Sequence, residues 1–298
     1  MQIYTTTHQP LCTAIRSYLN VPASDVDVTR FPDGEALISL KTEPSAEELV
    51  VVIQSIAAPV NDALMHTIFL LEALRLACVA NVVLMLTYLG YSRQDRQTNP
   101  LSLASANVVC KMLSAPHVSR AYVVEPHSPS ITSFFGIPAF ELSAAPMICW
   151  HISETFPLED VVILSLDRGG DERAFQIAES LDVPVARGVK RRTDKGVRVA
   201  FCAEADMVNK TGIIIDDIVD SGESASQAVS ELMAAHSLSR VVVYCVHAVL
   251  SAGAPLGMKL YTSNTIADRG ADLDMSFIIS RVLKRMAAQQ SHTGLVWN

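Results

Sequence analysis

The sequence predicts an α/β protein of two units, each a mainly parallel sheet flanked by helices. Three observations carry that expectation. The chain is 298 residues long, which suits two cores of ordinary size. Strand-sized apolar runs alternate with helix-length amphipathic segments, the signature of βαβ units. The alternation occurs twice, with a break near residues 138–151, where two prolines and small residues interrupt the periodicity. The expected division is therefore residues 1–143 and residues 144–298.

In the first half, residues 49–54 read LVVVIQ, a β-branched run of strand length, and residues 59–78 follow as a helix. Residues 81–87 form the next strand, 103–113 the next helix and 120–124 a third strand. The second half repeats the pattern with strand 161–166, helix 171–181, strand 212–215, helix 225–235 and strand 240–247. Runs this apolar belong to strands covered on both faces, as in parallel sheets.

Composition narrows the function classes. Half of the residues are hydrophobic, yet no unbroken apolar run approaches the ~18–20 residues of a membrane helix. The chain opens MQIYTTTHQP, without a basic stretch leading into an apolar core, so no secretory signal, no membrane partner and a cytoplasmic location are expected. A net charge of −8 argues against nucleic acid, whose backbone needs a basic face. Cys12, Cys78, Cys110, Cys149, Cys202 and Cys245 never form a CxxC pair, so buried thiols are expected rather than disulfides or structural zinc.

The stretch IIIDDIVDSGES, residues 213–224, carries the most chemistry. Ile213, Ile214 and Ile215 read as a buried strand, so Asp216 and Asp217 are expected at its carboxyl end, where open α/β sheets bind ligands. Asp220, Ser221, Gly222, Glu223 and Ser224 then lead into a helical pattern. Backbone N–H groups at such a helix mouth bind an anion, most simply a phosphate, while the carboxylates accept from sugar hydroxyls or hold a cation through water. An ordinary Asp/Ser helix cap explains one Asp and one Ser, but not DDxxD before the turn.

Other segments read two ways. RFPDGE, residues 30–35, is a hairpin turn as structure, or a cluster of an aromatic ring and two carboxylates as a site. GYSRQDRQ, residues 90–97, follows a strand and suits a polyphosphate, with Arg93 and Arg96 as bidentate donors, or is a solvated loop of charges. His127, near Glu125 on a loop after a strand, is either structural or a metal-site group. In LDRGGDER, residues 166–173, Asp167 precedes a glycine pair that opens a helix. Lys190, Arg191 and Arg192 are the most basic patch of an acidic chain: a mobile loop closing over a reacting phosphate, or a solvated β-hairpin. His247 reads as a core or loop histidine.

In this order, RFPDGE, VIQS with PVNDALM at 52–65, YLGYSRQDR at 88–96, the His127 loop with SFFGIP, LDRGG, KRR, DDIVDSGES, HAVLS at 247–251 and SNTI at 263–266 resemble the phosphoribosyl pyrophosphate synthetase family. These enzymes are also called ribose-phosphate diphosphokinases, and the resemblance covers nearly the whole chain. It implies two phosphoribosyltransferase-type domains, and transfer of the β,γ-diphosphate of MgATP to the anomeric hydroxyl of ribose 5-phosphate, with release of AMP. It further implies that Phe31, Asp33 and Glu35 hold adenine of a neighbouring subunit, in dimers assembled into hexamers. Arg93, Gln94 and Asp95 would bind ATP, with His127 and Asp167 at the Mg2+. Lys190 and Arg192 would be the catalytic cations. Asp167, Asp216, Asp217 and Asp220 would surround the ribose, and Ser221, Gly222, Glu223 and Ser224 would cradle the 5-phosphate.

The chain departs from the family at two places. Its phosphate loop reads DSGES where the family has DTxGT, which puts Glu223 where glycine is expected. A carboxylate beside a phosphate dianion is unfavourable unless it points away. The segment EPHS stands where the family has DLHA, with Glu125 for the aspartate, and Phe140 occupies another usual aspartate position. These departures motivate a second expectation, the same transfer onto a ribose with a less densely charged 5-substituent, such as ADP-ribose. Two further alternatives stand beside it: a non-catalytic regulatory homologue, and a phosphoribosyltransferase that shares the DDxxD turn and needs no ATP.

Overall fold

The structure is a computed structural model that describes residues 1–7, 9–45, 48–166, 168–193, 196–202, 207–253, 257–267 and 271–293; the side chains of residues 9, 168–169, 189–202, 224, 235 and 290–293 lie outside that description. In the first half the elements are β1 (Gln2–Tyr4), α1 (Gln9–Leu19), β2 (Val26–Arg30), β3 (Ala36–Leu40), β4 (Val50–Ser55), α2 (Val60–Leu76), β5 (Val82–Tyr88), α3 (Ser105–Met112), β6 (Val118–Val124) and β7 (Ala139–Leu142). A 3-10 turn, Pro129–Phe134, separates β6 from β7. The second half holds α4 (Ala145–Thr155), β8 (Val161–Ser165), α5 (Arg168–Leu181), β9 (Val185–Thr193), β10 (Gly196–Cys202), β11 (Thr211–Val219), α6 (Glu223–Ala235), β12 (Arg240–Ala248), β13 (Lys259–Thr262) and α7 (Ser276–Thr293).

The first unit is built on a five-stranded sheet of order β1-β4-β5-β6-β7, parallel at every pairing. Every residue of β4 and of β5 is buried, as strands covered on both faces require. β2 and β3 stand apart as an antiparallel hairpin. The second unit has a six-stranded sheet of order β10-β9-β8-β11-β12-β13, parallel except for the β9–β10 pair. Both architectures are the expected α/β sheets flanked by helices. No helix among the described residues is long and apolar enough to cross a membrane.

Three details differ from the reading of the sequence, and one segment is settled between its two readings. Residues 1–142 group with 265–267 and with α7, so the chain's last helix joins the first unit instead of the second. The reason is packing: α7 lies against α1, with Tyr18 and Phe277 edge to face at 6.1 Å, and buries Met275, Ile279 and Leu283. β11 continues past Ile215 to Val219, so Asp216 and Asp217 lie within the strand. Its backbone keeps pairing with β12, with Asp216 opposite Cys245 and Ile218 opposite His247, after its pairing with β8 has ended at Ile214. Of the two readings of Lys190, Arg191 and Arg192, the structure has the β-hairpin: they sit in a paired strand, opposite Val199, Arg198 and Val197. Cys78 is exposed in a left-handed turn at φ 61°, whereas Cys12, Cys110 and Cys245 are the buried thiols expected.

Candidate active site

In the second unit the DDIVDSGES motif is set by β11 and α6. Asp217 is 8% exposed and Asp216 half-buried, because side chains alternate across the sheet. The Asp217 N–H donates to Asp216 Oδ1 at 2.9 Å. Below them Cys245 is fully buried; desolvation, with the Asp216 charge beside it, pushes its thiol well above the ordinary range. That thiol stays neutral and receives the Val219 N–H at 3.0 Å.

The chain turns at Gly222, which has φ 75° and precedes the first residue of α6. Only glycine takes that left-handed position without strain. The Gly222 carbonyl accepts the first helical bond from the Ser226 N–H at 2.8 Å, and Ser221 Oγ accepts from the Glu223 N–H at 3.4 Å. Glu223 is thus the first helical residue, exposed, and its carboxylate belongs to the positive end of the α6 dipole. Asp220 is held from outside the motif: its Oδ1 accepts the Ser251 N–H at 3.2 Å and also the Ser251 hydroxyl. The backbone of Ser224 lies in α6 and its side chain lies outside the description. So do the side chains of Lys190 and Arg192, and Asp167 lies outside the described residues altogether. His247 is 2% exposed within β12, the core position expected of it.

In the first unit RFPDGE forms the tip of the β2–β3 hairpin. The Phe31 N–H donates to the Glu35 carbonyl at 2.8 Å and the Gly34 N–H to the Phe31 carbonyl at 3.0 Å. Asp33 Oδ1 accepts the Glu35 N–H at 3.1 Å. The tip is therefore ordered by its own backbone, and it leaves Phe31 43% exposed. Arg30 ties the tip to α2 through Asp62 at 2.5 Å.

The loop after β5 is fixed at both ends. A Cβ on Gly90 would meet the Ile56 carbonyl oxygen at 2.5 Å and Val60 Cγ1 at 2.8 Å, so no larger residue fits there. Tyr91 follows at φ 67°, and its hydroxyl bonds Asn61 of α2. The Gln94 N–H donates to the Tyr91 carbonyl at 2.8 Å, and the Gln94 carbonyl accepts the Ala106 N–H of α3 at 3.2 Å. Arg93, Gln94 and Arg96 are presented exposed, with Asp95 half-buried. One post, the first turn of α2, braces both motifs, through Asp62 to the hairpin and Asn61 to the loop. Asn61, Asp62 and Ser251 support these motifs, and spacing does not reveal them. The strings PVNDALM and HAVLS contain them, but their partners are distant in sequence.

His127 is exposed beyond β6, while Glu125 is 3% exposed with φ 40°. Among the described residues no three His, Cys, Asp or Glu side chains gather into a metal centre. A Mg2+ that draws most of its ligands from water and substrate phosphates needs only one or two protein donors.

Comparison with known proteins joins the two halves. The description of the N-terminal domain of ribose phosphate pyrophosphokinase matches residues 1–116, and that of the phosphoribosyl transferase domain matches residues 130–272. The ribose-phosphate pyrophosphokinase of Granulibacter bethesdensis is 32% identical over 302 residues, covering 97% of both chains. That of Agrobacterium fabrum is 34% identical over 244 residues, covering 82% of this chain and 78% of its own. The crystal structure of phosphoribosylpyrophosphate synthetase from Mycobacterium smegmatis superposes with a TM-score of 0.85 at 25% identity, over 97% of this chain and 100% of that one. End-to-end similarity of this kind, on two α/β units bearing the expected motifs in order, means that the chain belongs to the ribose-phosphate pyrophosphokinase family.

Proposed function

We propose that the chain transfers the β,γ-diphosphoryl group of MgATP to the anomeric hydroxyl of ribose 5-phosphate, giving phosphoribosyl pyrophosphate and AMP. The observation that carries this reading is the β11–α6 connection, where Asp216, Asp217 and Asp220 precede a left-handed Gly222 at a helix N-terminus. The carboxylates are suited to accept from ribose hydroxyls. The N–H groups of Ser221, Gly222, Glu223 and Ser224 are suited to the 5-phosphate. Asp167 is assigned to the same sugar.

On the nucleotide side, Arg93, Gln94, Asp95 and His127 take the ATP. Phe31, Asp33 and Glu35 take the adenine, in the reading by which the hairpin tip serves a neighbouring copy of a homo-oligomer, a dimer or hexamer. His127 and Asp167 are assigned to Mg2+, which offsets charge on the triphosphate when bound. Lys190 and Arg192 compensate the negative charge that develops on the diphosphoryl group in flight. Such a transfer asks for positioning and charge stabilisation more than for covalent work by the protein.

The test is an acceptor screen. Purified chain with MgATP releases AMP in proportion to added ribose 5-phosphate and not with ADP-ribose. AMP formed with ADP-ribose but not with ribose 5-phosphate would sink the proposal. So would turnover of phosphoribosyl pyrophosphate and a base without ATP.

A further inference from the structure

The arm that bears Lys190 and Arg192 has a defined root. β9 pairs with β8 as far as Arg187, opposite Ser165, the last residue of β8. Beyond Arg187 its partners are those of β10: Gly188 faces Phe201, Lys190 faces Val199 and Arg192 faces Val197. Arg187 is thus where β9 parts from β8 and, with β10 as its one remaining partner among the described residues, becomes a two-stranded arm at the sheet's edge.

Three side chains meet Arg187 at this point or one step away. Asp171, in the first turn of α5, accepts the Ser165 hydroxyl on Oδ1 at 2.6 Å. Its other oxygen holds Arg187 Nε at 3.4 Å. The guanidinium lies over the Phe175 ring, 4.6 Å from its centre, one helical turn after Asp171. One carboxylate therefore joins the end of β8, the first turn of α5 and the root of the arm. The Asp171 side chain is 17% exposed and that of Arg187 57%, so the pair adds little to global stability. A planar guanidinium held by a carboxylate and a ring nevertheless has little rotational freedom, and Lys190 stands three residues further along the same strand.

We propose that Asp171, Arg187 and Phe175 are a positioning clamp that sets how the β9–β10 arm presents Lys190 and Arg192 to the transferring diphosphoryl group. The inference rests on the proposed role of those two cations. The clamp acts through the arm and not on substrate, so its loss is felt in turnover and not in acceptor binding.

The experiment compares wild type, Asp171→Asn, Arg187→Met, Arg187→Lys, Lys190→Ala and the double variant Asp171→Asn/Lys190→Ala, by AMP release from MgATP and ribose 5-phosphate. Asp171→Asn keeps an acceptor for Ser165 and removes only the charge facing Arg187. The expected result is a roughly tenfold fall in kcat for Asp171→Asn and Arg187→Met, as small misplacement of a reacting group produces. The acceptor KM and the thermal midpoint stay near wild type, and Arg187→Lys falls in between. In the Lys190→Ala background the Asp171→Asn change has no further effect. Full kcat in Asp171→Asn with Lys190→Ala impaired would overturn the clamp alone. So would an equal loss in both backgrounds, or a loss that follows the thermal midpoint. Full kcat in Lys190→Ala, or no AMP from wild type, would instead overturn the role assigned to the arm, and the clamp with it.

Discussion

A methyl group on Gly90 has nowhere to go, because backbone lies 2.5 Å from where it would stand. Gly90→Ala is expected to destabilise the first unit by about 1–3 kcal/mol, the usual range for overpacking, read as a lower urea midpoint. It also shifts the segment bearing Arg93, Gln94 and Asp95, so ATP KM should rise with it. The fold also opposes charge on His117. Burial pushes its imidazole below the ordinary 6.5, outweighing the Leu71 carbonyl and Glu72, which act upward. Nε2 lies 2.9 Å from the Leu71 carbonyl and donates to it, while Nδ1 is buried without a hydrogen-bond partner among the described residues. A lowered folded value means that the unfolded chain binds the proton more tightly, so stability is present above about pH 6.5 and is lost as pH falls from there toward the folded value. His66 and His151 are lowered by burial too and add in the same direction. Chemical denaturation between pH 7.5 and 5.5 should show this loss, and His117→Gln should flatten it; a wild type no weaker at pH 5.5 would contradict the assignment.

At the scale of elements, the buried parallel strands were legible because composition and length agree: LVVVIQ and NVVLMLT became β4 and β5 within a residue at each end. The carboxyl half of β11 was not legible. Asp216 and Asp217 break the apolar run, yet a strand is held by backbone pairing, which continues to Val219. The KRR segment was legible only as a choice between loop and hairpin, because its charges suit either, and backbone pairing with 197–199 decides for the hairpin. Asp220 stood out in the sequence as a candidate, but its support did not, since Ser251 is 31 residues away. Removing one hydrogen bond to a charged group is worth about 1.5–3 kcal/mol. Ser251→Ala is therefore expected to raise the ribose 5-phosphate KM about tenfold while ATP KM stays unchanged. An unchanged acceptor KM would mean that Asp220 does not face the sugar.

At the scale of the molecule, the return of α7 to the first unit is the feature farthest from the linear reading, since a boundary at 143/144 assumes that each unit is one continuous segment. Met275, Ile279, Leu283 and Met286 are at most 8% exposed. Burying four such side chains contributes about 6–12 kcal/mol, comparable with the whole stability of a domain. A chain ending at residue 274 should therefore lose cooperative unfolding of the first unit, seen by circular dichroism and urea titration; an unchanged transition would show that α7 is dispensable.

The central claim is that both terminal phosphoryl groups of ATP move together onto the sugar. ATP labelled separately at the β and at the γ phosphate decides it, with ribose 5-phosphate as acceptor. Both labels are expected in one sugar diphosphate, matched mole for mole by unlabelled AMP. Label leaving as γ-phosphate with formation of ADP, or as free diphosphate without a sugar adduct, would contradict the account.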